Sequence, residues 1–189
     1  METINDYHRS LPLEQHLMAP VQAPDLSIEA VLTEGIWNLR GDASDEFFLR
    51  AVQAQLGLSL PVIIGETSSD GAATAICVGP DEWYLACEPR HLALSLEIEE
   101  ARFSFVDLSD QMATIDVSGM KARDLLSKAV SLDLHPAIFG AGKAARTLAA
   151  KAQVIIRHYD ERPCYRLTVR RSFANYLWDW LADAAKEYR

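Results

Sequence analysis

Residues 115–130 read Ile115-Asp-Val-Ser-Gly-Met-Lys-Ala-Arg-Asp-Leu-Leu-Ser-Lys-Ala-Val130. Ile115 and Val117 alternate with polar residues at the period of a strand. Ala122, Leu125, Leu126, Ala129 and Val130 then recur at i, i+3, i+4, i+7 and i+8, the buried stripe of a helix. Ser118 is the expected N-cap, and Gly119 marks the turn between the two elements. An earlier stretch carries the same pattern. At an offset of 78, Gly41 falls on Gly119, Phe47-Phe48 on Leu125-Leu126, and Ala51-Val52 on Ala129-Val130. At an offset of 82, Trp83-Tyr-Leu-Ala86 falls on Tyr165-Arg-Leu-Thr168, and the helix expected after Glu88 falls on the one expected after Ser172. Two matches at nearly one offset read as an internal duplication.

Working outward, residues 28–40 alternate loosely as one strand, with Asp42 as the expected N-cap of a helix that buries Phe47, Phe48, Ala51 and Val52. Gly57 stands where a C′ glycine belongs. Residues 73–78 and 83–87 form a hairpin around Gly79-Pro-Asp-Glu82, a helix is expected from about Arg90 to Glu100, and Phe103–Val106 reads as a strand. The alanine-rich stretch Ala144–Gln153 favours helix by composition and strand by its counterpart in the first half; the repeat decides for strand. In the last helix, Phe173, Tyr176, Leu177, Trp180, Leu181 and Ala184 form the expected buried stripe behind a Ser172 cap. Trp178 is expected at its flank.

The fold class is therefore α+β: two similar ferredoxin-like β-α-β-β-α units packed into one body. Residues 1–25 carry Pro12, Pro20 and Pro24 and read as an extended arm. Residues 26–189 read as a single domain of two pseudo-repeats, about 26–108 and 109–189.

The 189 residues are 49% hydrophobic and 24% charged, which excludes a disordered chain. No apolar run is long enough for a membrane helix, and Met1–Ser10 lacks a signal peptide's apolar stretch, so a cytoplasmic protein without a membrane partner is expected. The net charge of −9 argues against nucleic acid. That charge is divided: residues 1–110 hold 5 basic and 19 acidic side chains, a net −14, and residues 111–189 a net +5. Attraction between the halves, or a charged face for a partner, would follow.

Motifs for chemistry are sparse. Gly140-Ala-Gly-Lys143 looks like a phosphate loop, but Ala144 supplies no hydroxyl for Mg²⁺, and His135-Pro136 places a turn where a strand is required. Ser118-Gly-Met-Lys121 could offer N–H groups and a cation to an anion, although capping explains the same residues. The five histidines (8, 16, 91, 135, 158) include no i, i+4 pair, so no metal site is indicated. Cys77, Cys87 and Cys164 form no zinc or redox motif. In a ladder whose residue numbers sum to 161, Cys77 opposes Tyr84 and Cys87 opposes Thr74 on the other face, leaving three thiols. No catalytic, cofactor-binding or metal-binding residue is assigned. Leu11, Leu13, Leu17 and Trp178 are the candidate partner-contact residues.

The blocks Gly79-Pro-Asp-Glu-Trp-Tyr-Leu85, Val106-Asp-Leu-Ser-Asp-Gln111, Ala113-Thr-Ile-Asp-Val-Ser-Gly119, Ser131-Leu-Asp-Leu-His-Pro136, Arg171-Ser-Phe-Ala174 and Tyr176-Leu-Trp-Asp-Trp-Leu181 resemble the gamma subunit family of heterotetrameric sarcosine oxidase, across roughly residues 29–187. The Gly-Pro-x-x-Trp block is also similar to the aminomethyltransferase superfamily. The resemblance implies the fold of the aminomethyltransferase folate-binding domain and a non-catalytic subunit. It further implies partner subunits alpha, beta and delta, which hold FAD, FMN, NAD, tetrahydrofolate and zinc. Two alternatives stay open: a stand-alone folate-binding protein of the aminomethyltransferase type, and the equivalent subunit of an N-methylglutamate dehydrogenase-type complex.

Overall fold

The computed structural model describes residues 12–17, 19–31, 35–70, 73–87, 96–98 and 102–189. Their strands form two antiparallel sheets. The first unit contributes β1 (Val21–Ala23), β2 (Leu26–Val31), β3 (Gly35–Arg40), helix α1 (Glu46–Leu56), β4 (Thr67–Ser69), β5 (Ala73–Gly79) and β6 (Glu82–Cys87). The second opens on β7 (Ser104–Asp107), which the offset of 78 places on β2, and continues with β8 (Met112–Ser118), α2 (Ala122–Ala129), β9 (Lys143–Ala149), β10 (Ala152–Asp160), β11 (Cys164–Arg170) and α3 (Arg171–Ala184).

One sheet runs β4-β5-β6-β3-β7, and the other β9-β10-β11-β8-β2-β1. The order is the same, so the duplication read from the sequence is a duplication of topology. Each unit carries more strands than the expected β-α-β-β-α, and the additional strands are exchanged. β2 directly precedes β3 in the chain but pairs with β8, Ile28 opposite Val117. β7 directly precedes β8 but pairs with β3, Leu39 opposite Phe105. Residues 28–40 are thus two strands in different sheets rather than one.

The helices lie on the outer faces. α1 covers a core of Trp37, Leu39, Phe48, Val52, Trp83 and Leu85; α2 and α3 cover Ile115, Val117, Ile156, Tyr165, Leu167 and Val169. The opposite sheet faces meet each other through Ile76, Ala144 and Ile155, with Val78 and Tyr84 packed against them. Strand alternation produces this layering: in β5, Ala73, Ala75 and Cys77 belong to the helix-side core, while Ile76 belongs to the inter-sheet layer.

The sheets are also joined edge to edge. Glu66 bridges Lys143 in antiparallel fashion. Ala144 N–H donates to the Gly65 carbonyl at 2.7 Å, and Thr67 N–H to that of Gly142 at 3.1 Å. Gly65 has φ +88°, and a Cβ there would lie 2.9 Å from the Ala144 carbonyl oxygen, so the seam requires glycine.

Several local expectations are corrected. Asp45, not Asp42, caps α1 by accepting from Phe47 N–H and Phe48 N–H; Asp42 instead accepts from Ser44 in the preceding turn. Phe48 and Val52 are buried as expected, but Phe47 is exposed. Neither Ser118 nor Ser172 caps a helix. The Lys121 N–H that Ser118 would serve donates instead to the carbonyl of Asp25 in the β1–β2 turn, and α3 begins one residue before Ser172, with Arg171 N–H donating to Gln111 C=O. Most of the helix expected at Arg90–Glu100 lies outside the described residues. Leu96–Ile98 are not helical, and Gln55 bonds the backbone of Glu97 on both sides. Ala144–Gln153 forms β9, a tight turn and the start of β10, because buried Ala144, Ala149 and Ala152 act as close-packing residues rather than helix formers. The β5–β6 register breaks between Cys77 and Gly79, so Cys77 opposes Trp83 and Cys87 opposes Ala73. The extra residue puts both cysteines on one face. They remain free and buried.

Gly119 closes one end of the β2–β8 pairing. It has φ +107°, and a Cβ there would sit 2.2 Å from the Asp25 carbonyl oxygen, where the turn after β8 meets the turn before β2. We expect Gly119→Ala to lower stability by about 3 kcal/mol in urea unfolding, since both the backbone and the contact resist it. A change within measurement error would show that the turn relaxes freely.

Candidate partner surface and inter-sheet cleft

The segment read as an arm joins the body from residue 12 onward. Leu13 is 2% exposed within the α2–α3 core, and residues Glu14–His16 form a short 3-10 turn. The His16 ring stacks on Trp178 with centroids 4.6 Å apart. Gln15 donates to Asn175 at 3.3 Å, and β1 extends the sheet with Val21 opposite Ile28. Trp178 is therefore 3% exposed and belongs to the stripe Ala174, Leu177, Trp178, Leu181, Ala185. The expected stripe is off by part of a turn, and Phe173 and Tyr176 face outward instead. The physical reason is a second wall: α3 lies on its sheet, and the N-terminal turn covers its other flank. Of the four candidate contacts, Leu13 and Trp178 are satisfied within this chain, Leu17 is 41% exposed, and Leu11 lies outside the described residues.

The inter-sheet face carries the polar groups. Arg166 holds Asp116 with two hydrogen bonds, Nε–Oδ1 at 2.6 Å and Nη2–Oδ2 at 2.7 Å, across the β8–β11 ladder. Tyr159 donates to Asp116 at 3.3 Å, and the Arg166 guanidinium lies 5.0 Å over its ring. Burial, then the Asp116 charge, pushes the Tyr159 phenol up to about 12. Burial and the neighbouring Arg166 push the Arg157 guanidinium below its ordinary value. Nearer the mouth, a cavity of about 160 Å³ is lined by Glu82, Tyr84, Met112, Arg146, Thr168 and Arg170, among others. Glu82 is paired there with Arg146 at 3.1 Å and accepts from Asn38 at 3.0 Å. Asp116–Arg166 pairs across strands of one sheet, and Glu82–Arg146 pairs between the sheets and helps hold them in register.

The tempting motifs are absorbed by the same framework. In the Gly140–Lys143 loop, Gly142 N–H donates to His158 C=O, and Lys143 pairs with Glu66 at 2.6 Å. At Ser118–Lys121, Gly119 N–H donates to Pro163 C=O, and Lys121 pairs with Asp124 at 3.0 Å. Each ring nitrogen of buried His158 lies 3.0 Å from a carbonyl oxygen, of Phe139 and of Arg162, tying two loops together. Burial raises the Cys77 and Cys164 thiols, which disfavours thiolate chemistry. Among the described residues, no group of three His, Cys, Asp or Glu side chains could hold a metal. Among the described residues, no helix is long and apolar enough to cross a membrane. The Glu66–Lys143 seam was missed in the sequence, although an offset of 78 nearly superposes the two residues.

Two strand-exchanged antiparallel sheets with helices outside define an aminomethyltransferase-like fold. The glycine cleavage system aminomethyltransferase T of Bartonella henselae is similar over 89% of this chain and 48% of its own, with TM-score 0.57 at 14% identity, a likeness of fold alone. One chain of the heterotetrameric sarcosine oxidase from Corynebacterium sp. U-96, solved in complex with pyrrole 2-carboxylate, gives TM-score 0.82 at 26% identity over 95% of both chains. In sequence, the sarcosine oxidase subunit gamma of Corynebacterium sp. (strain U-96) is 30% identical over 187 residues, 92% of this chain and 88% of the relative. That of an Arthrobacter species is 34% identical over 143 residues, 73% of this chain and 70% of the relative. The model of the sarcosine oxidase gamma subunit family matches residues 40–187, and the chain belongs to that family.

Two measurements check the geometry. Trp178→Ala should cost about 3–5 kcal/mol and His16→Ala about 1 kcal/mol or less in denaturant unfolding, with a change in tryptophan fluorescence for both; a Trp178→Ala cost near zero would place that ring at the surface. In an ultraviolet titration, Tyr159 should contribute an ionisation near pH 12, and Tyr159→Phe should remove that step. Because the folded state raises this pKa, its contribution to stability is present below pH 10 and fades as pH rises toward 12.

Proposed function

We propose that this chain serves as the gamma subunit of a sarcosine oxidase assembly in the cytoplasm, a non-catalytic subunit that completes a complex with alpha, beta and delta partners. The partner subunits hold FAD, FMN, NAD, tetrahydrofolate and zinc. They oxidise the N-methyl group of sarcosine, giving glycine and a one-carbon unit that passes to tetrahydrofolate or leaves as formaldehyde, while O₂ is reduced to hydrogen peroxide. The observation that carries this reading is the match along 95% of the chain to a chain of a solved heterotetrameric sarcosine oxidase. It is supported by the way the polar side chains of the inter-sheet face are engaged in pairs within the fold.

The test is co-expression of the tagged chain with the flavoprotein subunits encoded beside it. It should co-purify with bound flavin and sarcosine-dependent peroxide formation. Omitting it should reduce the yield of assembled enzyme by roughly ten-fold or more while leaving the turnover of each remaining flavin within about two-fold. A chain that elutes alone and without flavin overturns the reading. Saturable heat on titrating the isolated chain with tetrahydrofolate would favour a stand-alone folate-binding protein. Turnover of N-methylglutamate but not sarcosine by the assembled complex would favour the dehydrogenase-type relative.

A further inference from the structure

Three successive aliphatic side chains project from the loop between α1 and β4: Val62, Ile63 and Ile64 are 59%, 62% and 59% exposed. The loop is held firmly. The Trp83 indole N–H donates to the Pro61 carbonyl at 2.7 Å, and Gly65 N–H donates to that of Cys77 at 2.9 Å. The equivalent loop of the second half, between α2 and β9, presents Ile138 at 63% exposure. It is anchored by the Phe139 carbonyl on His158. The two loops are hydrogen-bonded to each other where Gly65–Thr67 meets Gly142–Ala144. Both therefore emerge from the seam between the sheets.

We propose that these paired loops dock a concave, uncharged apolar groove on another subunit of the complex, an inference that rests on the function proposed above. Three arguments select that occupant. First, charge: residues 57–65 carry no charged side chain, residues 134–142 carry only His135, the flanking Glu66 and Lys143 neutralise each other, and Asp133 at the start of the second loop accepts from His135 N–H, in a chain of net −9. A charged or nucleic-acid surface finds nothing to pair with there, and desolvating it against aliphatic groups would be unfavourable. Second, shape: consecutive side chains leave the backbone in different directions, so three in a row can be exposed only where the backbone itself protrudes. A convex patch does not bury a second copy of itself. Third, area: the four side chains expose on the order of 400 Å² of apolar surface, the size at which a patch on a monomer is commonly functional. That is about half of the roughly 800 Å² that one partner contributes to a stable interface, and suits its central cluster with a polar rim around it.

The experiment uses the co-expressed complex, with Ile63→Asp and Ile138→Asp in the loops and Met120→Asp, in the turn between β8 and α2, as an exposed control outside them. The side chains are outside the core, so circular dichroism should match the wild type; Ile63→Ala replaces any variant that does not. The wild-type and Met120→Asp chains should co-purify with the flavoprotein subunits equally, and each loop variant should bind more than about ten-fold more weakly. Loop variants that assemble as the wild type does overturn this inference and leave the gamma-subunit reading standing. A wild-type chain that fails to assemble overturns both. A wild-type dimer in the absence of partners that the loop variants abolish, or binding to phosphatidylcholine vesicles that they abolish, overturns the groove in favour of a second copy or a lipid surface.

Discussion

The rest of the structure depends on the exchange of β2 and β7 between the two sheets. Each strand stands only a few residues from its sequence neighbour in the chain, yet hydrogen-bonds to a strand of the other unit, β2 to β8 and β7 to β3. Neither sheet is complete without a strand from the other unit. Separating the halves would leave the long edges of β3 and β8 unpaired, together with the apolar faces they carry, which is costly for buried backbone. Two similar units thus behave as one body. The end of the β2–β8 pairing is correspondingly constrained, where Gly119 passes against the Asp25 carbonyl.

The division of charge finds its place in this arrangement. The acidic first half and basic second half meet at the inter-sheet layer, and both ion pairs that cross there, Arg146–Glu82 and Lys143–Glu66, run from a cation of the second half to an anion of the first. These pairs are partly exposed, so each contributes at most about 1 kcal/mol. Their value lies in specifying which faces meet and in which register. The more enclosed Asp116–Arg166 pair acts within one sheet, holding β8 to β11. Two of the loops beside the seam leave aliphatic side chains facing outward, Val62, Ile63 and Ile64 on one and Ile138 on the other.

Much of the fold was legible because duplication doubles the signal. The stripe Ala122, Leu125, Leu126, Ala129 identified α2, and its offset partner identified α1. The repeat even overrode the helix propensity of the alanines in β9. The errors fell where a neighbour distant in sequence supplied what local reasoning assigned to an adjacent residue. Ser118 is a sound local cap, but the Asp25 carbonyl, in a turn distant in sequence, already takes the N–H it would serve, and α3 begins one residue before Ser172. Trp178 sits at the flank of a one-walled stripe, but the N-terminal turn builds a second wall that covers it. A bulge between Cys77 and Gly79 shifts a hairpin register by one, and one residue is enough to change faces.

By itself, the sequence determined the α+β class, the twofold repeat, the helix cores and the family, since these rest on periodicities and motifs contained within short segments. Only the tertiary structure decided which sheet each strand joins, which tryptophan is covered, and which loops are left facing outward. Those outcomes depend on contacts between residues up to about 160 positions apart, such as Gln15 with Asn175, and no local pattern of hydrophobicity or charge encodes a hydrogen-bond partner at that distance.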